Sequence, residues 1–226
     1  MITGQNLRVS ADKLRLMLPE SAQRLLAVRR HRHLWRKKKI IFIHIPKSAG
    51  TSVCTALYGR NLGHFSASDV KNSDPRSFEE FPMVAITRNP WDRLVSAYRY
   101  ATRPAQGVNG ISRPHAYLTA EFRTFESFIE EWLIARTLSR RDYVFRAQKS
   151  FLVGSAGEIL PAFVGKVEKL EQFQTYVAQV LGHAVRIDRL NSSQQRQPYQ
   201  KFYTPRTAQI VGELYSEDIS TFDYDF

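Results

Sequence analysis

The run Ile40–Ile45 (IIFIHI), followed at once by PKSAGTS (46–52) and then by VCTALYGR, constrains this chain more than any other segment. A short β-branched apolar run bounded by turn residues is the pattern of a strand buried on both faces. A loop of small residues and a helical stretch follow it. That order sets the free N–H groups of a helix N-terminus at a strand's carboxyl end, where an anion is well held. The pattern recurs: MVAIT (83–87) leads through Arg88-Asn89-Pro90 into WDRLVSAYRYA (91–101). There Asn89 suits the N-cap, Pro90 the first helical position and Asp92 the first turn. A third strand is expected in FVGKVEKL (163–170), running into a helix that Gly182 ends. Helical spacing is also present in 122–137, where Trp132 and Phe128 read as packing residues, and in 204–219. Strands alternating with helices predict an α/β fold, a central parallel sheet flanked by helices, with ligands at the carboxyl ends of the strands.

Composition narrows the rest. With 226 residues, 43% hydrophobic and 24% charged, the chain suits one ordinary globular domain. No apolar run approaches the length of a transmembrane helix, and the N-terminus lacks the apolar core of a secretory signal. The single cysteine, Cys54, excludes an intrachain disulfide and a Cys-rich zinc site. No His/Asp/Glu group has metal-ligand spacing, so no metal is expected. Lys and Arg total 33 against 21 acidic residues, a net charge of +12, which suggests a phosphate-bearing or polyanionic partner. The charge is concentrated in residues 24–39, which hold eight Lys/Arg and two His. Residues 1–36 are expected to form a basic, partly helical extension interrupted at Pro19, ahead of a catalytic domain at 37–226. The basic end reads either as a solvated helix face or as a contact for a membrane surface or acidic partner.

PKSAGTS is not a Walker A loop, because that motif needs Lys after its last Gly and here Lys47 precedes Gly50. Its chemistry is related. Ser48, Ala49 and Gly50 let backbone N–H groups approach an anion, Thr51 and Ser52 offer hydroxyls at the helix start, and Lys47 adds charge. Arg88 leaves a strand end, where a guanidinium can grip a phosphate. Ser96 lies eight residues on, about two helical turns, and can share that face. Taken singly, the loop reads equally as an ordinary turn, Arg88 as a salt-bridge partner and Ser96 as a packed small residue.

Together, HIPKSAGTS and ITRNPWDRLVSAY resemble the carbohydrate-type sulfotransferase family, specifically its family 2-like, bacterial-type members. FVGKVEKLEQFQ, RLNSSQQRQPYQKFY and IVGELYSEDISTFDYDF resemble later segments of the same family, so the likeness spans about residues 40–226. The resemblance implies a P-loop-containing, three-layer sulfotransferase fold. It implies 3′-phosphoadenosine 5′-phosphosulfate (PAPS) as sulfuryl donor, PAP as product and no metal. It further implies that Lys47, Ser48, Ala49, Gly50, Thr51 and Ser52 cradle the 5′-phosphosulfate, with Lys47 also catalytic at the departing oxygen. Arg88 and Ser96 would bind the 3′-phosphate. Arg196, Tyr199 and Lys201 are weaker candidates for the nucleotide's far side, and Gln148 falls where the family often has a polar residue.

Transfer to an alcohol needs a base, and a neutral His suits it. His64 matches the family's catalytic His region. His44, His115, Glu79 and Glu80 are rivals, with His44 reading as packed within its strand and the glutamates as a solvated turn. The acceptor is expected to be a hydroxyl compound, with a carbohydrate favoured. The family's animal members carry a Golgi anchor and lumenal disulfides; this chain, with neither, is expected to be cytoplasmic, with peripheral membrane contact through the basic segment as a second possibility. A nucleotide kinase would need Lys after the loop Gly and a carboxylate at the second strand end. A non-catalytic polyanion-binding protein, or a nucleic-acid binder, would leave the two core motifs unexplained.

Overall fold

The computed structural model describes residues 18–102, 114–135, 142–188 and 197–226. Three strands, β1 (Ile41–Ile43), β2 (Met83–Thr87) and β3 (Phe163–Lys166), form a parallel sheet in the order β1-β2-β3. Phe42 is paired with Val84 and Ala85 with Val164. All of β1 and β2 is buried, as continuous apolar runs in a covered parallel sheet require. The free edge of β1 is closed by one side chain. The Tyr58 hydroxyl donates to the Ile40 carbonyl and accepts from the Phe42 N–H, both at 3.0 Å, so these two edge backbone groups are satisfied.

Helices flank the sheet. They are α1 (Glu20–Lys38), α2 (Gly50–Tyr58), α3 (Ala67–Ser73), α4 (Pro75–Glu80), α5 (Pro90–Ala101), α6 (Leu170–Leu181), α7 (Pro205–Leu214) and α8 (Ser216–Phe222). α5 begins as its sequence dictates: the Asn89 side chain accepts from the Trp91 N–H at 3.1 Å, and Pro90 occupies the first turn. Gly165 lets α6 pack close on β3, since a Cβ there would stand 2.9 Å from Phe173 Cβ. One core cluster lies around β1 and β2. A second, mostly aromatic, joins α5 to Phe122, Phe128 and Phe145, with Trp132 packed on its edge.

Several elements differ from the sequence expectation. The third strand ends at Lys166, and a 3-10 turn (Val167–Lys169) precedes α6. The expected helix at 122–137 is one α-turn followed by a π-helical segment, Phe128–Leu133. The final helix is divided at Tyr215. Glu79 and Glu80 belong to α4 and not to a turn. The expected boundary at 36/37 falls inside α1. That helix is not a separate extension over its described length: Val28 and Trp35 are fully buried in the same cluster as β1, and Trp35 meets the Phe65 ring edge-on at 5.4 Å. The apolar positions 27, 28 and 35 anchor one face of α1 while its cations point outward.

Candidate active site

The loop between β1 and α2 carries two non-glycine residues in the left-handed region, Lys47 (φ 67°) and Ala49 (φ 57°). Ser48 and Gly50 between and after them have negative φ. Each left-handed residue costs about 1–2 kcal/mol, and such strain is kept where a site uses it. Alternation of the two hands is the backbone pattern of a nest, here set at the N-terminus of α2, where free N–H groups favour an anion. Gly50 is required for another reason: a Cβ there would stand 1.8 Å from Cδ2 of His44.

Arg88 leaves β2 directly beside this loop. Its Nη1 donates to the Lys47 carbonyl at 3.3 Å, while Nε and Nη2 both donate to one Asp92 oxygen at 2.8 and 2.5 Å. Below it, Arg88, Asp92, Ser96, Arg99, Gln197 and Tyr199 line a small cleft. Arg88 and Ser96 therefore line one cleft, and Tyr199 joins them from a distant chain segment. The Tyr199 hydroxyl accepts from Asn89 Nδ2 at 3.2 Å. Sequence reading missed Arg99. The signal was present, because positions 88, 92, 96 and 99 follow helical spacing along one face of α5. The Arg99 guanidinium lies 4.6 Å from the Phe202 ring and makes no ion pair among the described residues. Arg196 lies outside the described residues, and Lys201 is exposed.

Other loop residues divide. Lys47 sets its ammonium 4.3 Å over the Tyr100 ring, at the mouth of the loop. Thr51 is exposed and Ser52 buried at the start of α2. Ser48 is not presented as a cradle hydroxyl. It is fully buried and donates to Gln148 Oε1 at 3.0 Å. Gln148, also fully buried, accepts at that oxygen from the Arg88 N–H (2.9 Å) and donates through Nε2 to the Arg88 carbonyl (2.8 Å). One amide thus ties the β1–α2 loop to the carboxyl end of β2. Asp218 of α8 secures it in turn by accepting the N–H groups of Gln148 and Lys149 at 2.7 and 2.8 Å. Burial raises the Asp218 carboxyl above the ordinary range despite these bonds.

Two further side chains, buried Arg93 and exposed Glu168, tie remote segments to the site. Arg93, 2% exposed, donates to the carbonyls of Pro46, Arg146 and Val144, so it braces the loop from below. Glu168 accepts the Asn89 N–H at 2.8 Å, which gives the KVE segment a definite task at the start of α5.

His64 and His44 lie with ring centroids 4.3 Å apart. His64 Nδ1 is 2.9 Å from the His44 carbonyl. A carbonyl only accepts, so Nδ1 carries the proton and the lone pair of neutral His64 stands on Nε2. Burial lowers the His64 pKa, and the nearby charges of Arg93 and Lys47 lower it further, against the bond to His44. His44 is 4% exposed with Nδ1 held by Asn61 Oδ1 at 3.1 Å; burial and then His64 push its pKa well down. Glu79 and Glu80 are exposed, and Glu80 pairs with Arg76. The side chain of His115 lies outside the described residues.

The β1–α2 loop and the cleft lined by Arg88 and Ser96 thus adjoin at the carboxyl ends of two neighbouring strands. The model of the sulfotransferase family matches residues 32–225. The chain belongs to the sulfotransferase family. No curated protein and no solved structure matches it. As a member of that family the chain is a transferase of sulfuryl groups, with a hydroxyl-bearing acceptor in general. The family match begins at residue 32, within α1, so the last turns of that helix belong to the family domain.

Proposed function

We propose that this sulfotransferase uses PAPS and transfers its sulfuryl group to a hydroxyl of a carbohydrate acceptor, with His64 as general base. What supports PAPS is the contiguity of nest and cleft: Arg88 touches the Lys47 carbonyl and lines the cleft with Ser96, so one ligand can reach both. PAPS would supply an activated sulfuryl group, sulfur bound to a phosphate leaving group.

The residues present fit that group. The N–H groups of the nest, with Lys47 at its mouth, hold the 5′-phosphosulfate and stabilise charge that grows on the leaving oxygen. Ser96, Arg88 and Arg99 receive the 3′-phosphate. Asp92 already takes two Arg88 donors, and Arg99, which makes no ion pair among the described residues, adds cationic charge. The His64 Nε2 lone pair takes the acceptor's proton as its oxygen attacks sulfur. In that step the acceptor O–S bond forms, the bond from sulfur to the leaving oxygen breaks, and the proton stays on His64. A carbohydrate acceptor is favoured by the basic composition of the surrounding chain, which suits an acidic glycan.

Calorimetric titration with PAP, with 5′-AMP as control, tests the donor assignment. Wild-type protein is expected to bind PAP and to discriminate against 5′-AMP. Arg88→Ala and Arg99→Ala should each lose about tenfold or more of PAP affinity, in line with a charge-assisted hydrogen bond, while 5′-AMP binding changes little. Failure of folded wild-type protein to bind PAP would overturn the reading.

A further inference from the structure

α1 presents to solvent a face that the sulfotransferase chemistry does not use. Its buried side is fixed by Ala27, Val28 and Trp35. The opposite arc carries Leu25, Leu26, Arg29, Arg30, His33, Arg36 and Lys37, positions that recur at the three- and four-residue spacing of one helix face. Leu25 and Leu26 are 41% and 44% exposed, and Leu18 is exposed just before the helix. Arg36 reaches Asp74 at 2.9 Å. Arg29, Arg30, Lys37 and the flanking Arg32, Lys38 and Lys39 make no ion pair among the described residues. No acidic residue lies between positions 21 and 39.

Such a face is costly unless something covers it. Unpaired cations crowded along one helix repel each other, and exposed leucines gain nothing from water. We infer that this face docks on an anionic lipid surface. The cations meet the negative headgroups while the leucines enter the boundary with the acyl chains. A nucleic acid or an acidic glycan would satisfy the cations alone and leave Leu25 and Leu26 in water, so the mixture of the two residue types selects lipid. The helix also bears on the site. Arg24 donates to the Tyr143 hydroxyl at 3.4 Å, and the Tyr143 ring lies 6.2 Å from that of His64. α1 is thus linked to the proposed base through Arg24 and Tyr143, on the packed side of the helix.

The test is co-sedimentation of the full chain with vesicles of phosphatidylcholine alone or with about a third phosphatidylglycerol, at about 0.1 M and 0.5 M salt. Binding is expected only to the anionic vesicles and should weaken in high salt. Arg29→Glu/Arg30→Glu/Lys37→Glu should bind about 100-fold more weakly. Leu25→Ser/Leu26→Ser should lose about three- to tenfold. All these residues are exposed, so both variants should keep the wild-type melting temperature and PAP affinity. The inference does not depend on the donor, and loss of PAP binding would leave it standing. Equal binding to neutral and anionic vesicles, or none to either, would overturn it. So would preferential capture by duplex DNA with no effect of the leucine substitutions, because that result assigns the face to a nucleic acid.

Discussion

His64 and His44 share a sequence neighbourhood, a buried setting and a lowered pKa, yet one hydrogen bond separates their roles. His44 is 4% exposed and packs against the Gly50 position, where its ring leaves no room for a methyl group. His64 points Nδ1–H at the His44 carbonyl, which leaves a defined lone pair on Nε2. The buried ring that packs at Gly50 and the half-buried ring proposed as the base are thus distinct. His64→Ala is expected to lower kcat by about 10²–10⁴-fold while PAP affinity stays within about threefold, because proton transfer is removed and the nest is not. Steady-state kinetics with a glycan acceptor, paired with PAP calorimetry, measures both. Wild-type kcat in the His64→Ala protein would exclude it as the base.

Among the elements, the two strand-to-helix turns are joined by a side chain from neither. Gln148 binds Ser48, the Arg88 N–H and the Arg88 carbonyl, and α8 holds it through Asp218. Gln148→Leu keeps the volume and removes the three side-chain bonds, which leaves buried polar groups unsatisfied at about 1–3 kcal/mol each. The variant should melt lower by roughly 10 °C, for a loss of about 3 kcal/mol in a domain of this size, and should bind PAP more weakly because Arg88 and the loop lose their common anchor. Thermal melts and calorimetry check this, and an unchanged melting temperature would show that the amide is not a brace. The turns themselves were legible in sequence because Lys47 to Ser52 and Arg88 to Ser96 are contiguous and follow local rules of strand, cap and helix. Gln148, Asp218 and Arg93 act across 47 residues or more of chain, and local spacing carries no trace of such a contact. Ser48 misled for the same reason, since its partner lies 100 residues away. Arg99 was legible in principle from its spacing after Ser96. The first turns of α1 read as an extension because its Arg-rich composition outweighs three buried apolar positions that only the packed core reveals.

For the molecule as a whole, the paired histidines couple the stability of the fold to the state of the proposed base. In the unfolded chain both titrate near 6.5; in the folded chain burial lowers both. The unfolded state therefore binds more protons below that value, and stability falls as pH falls. Above about pH 6.5 both states carry neutral histidines and the full stability is present; below it, each step toward the lowered folded values favours unfolding. Asp218 does not confuse this window from the same side, because a raised carboxyl binds its proton preferentially in the folded state and opposes the trend. The melting temperature is expected to be flat from about pH 8 to 7 and to fall progressively toward pH 5, and the turnover rate should fall at lower pH than an ordinary histidine would give, where Nε2 of the folded His64 becomes occupied. In His64→Asn protein the pH slope of the melting temperature should be reduced, since one of the two suppressed titrations is gone, while His44 retains the rest. A melting temperature that rises between pH 7 and 5 would mean that the histidine pair gains protons on folding, and would remove the basis for a neutral His64 as the base at physiological pH.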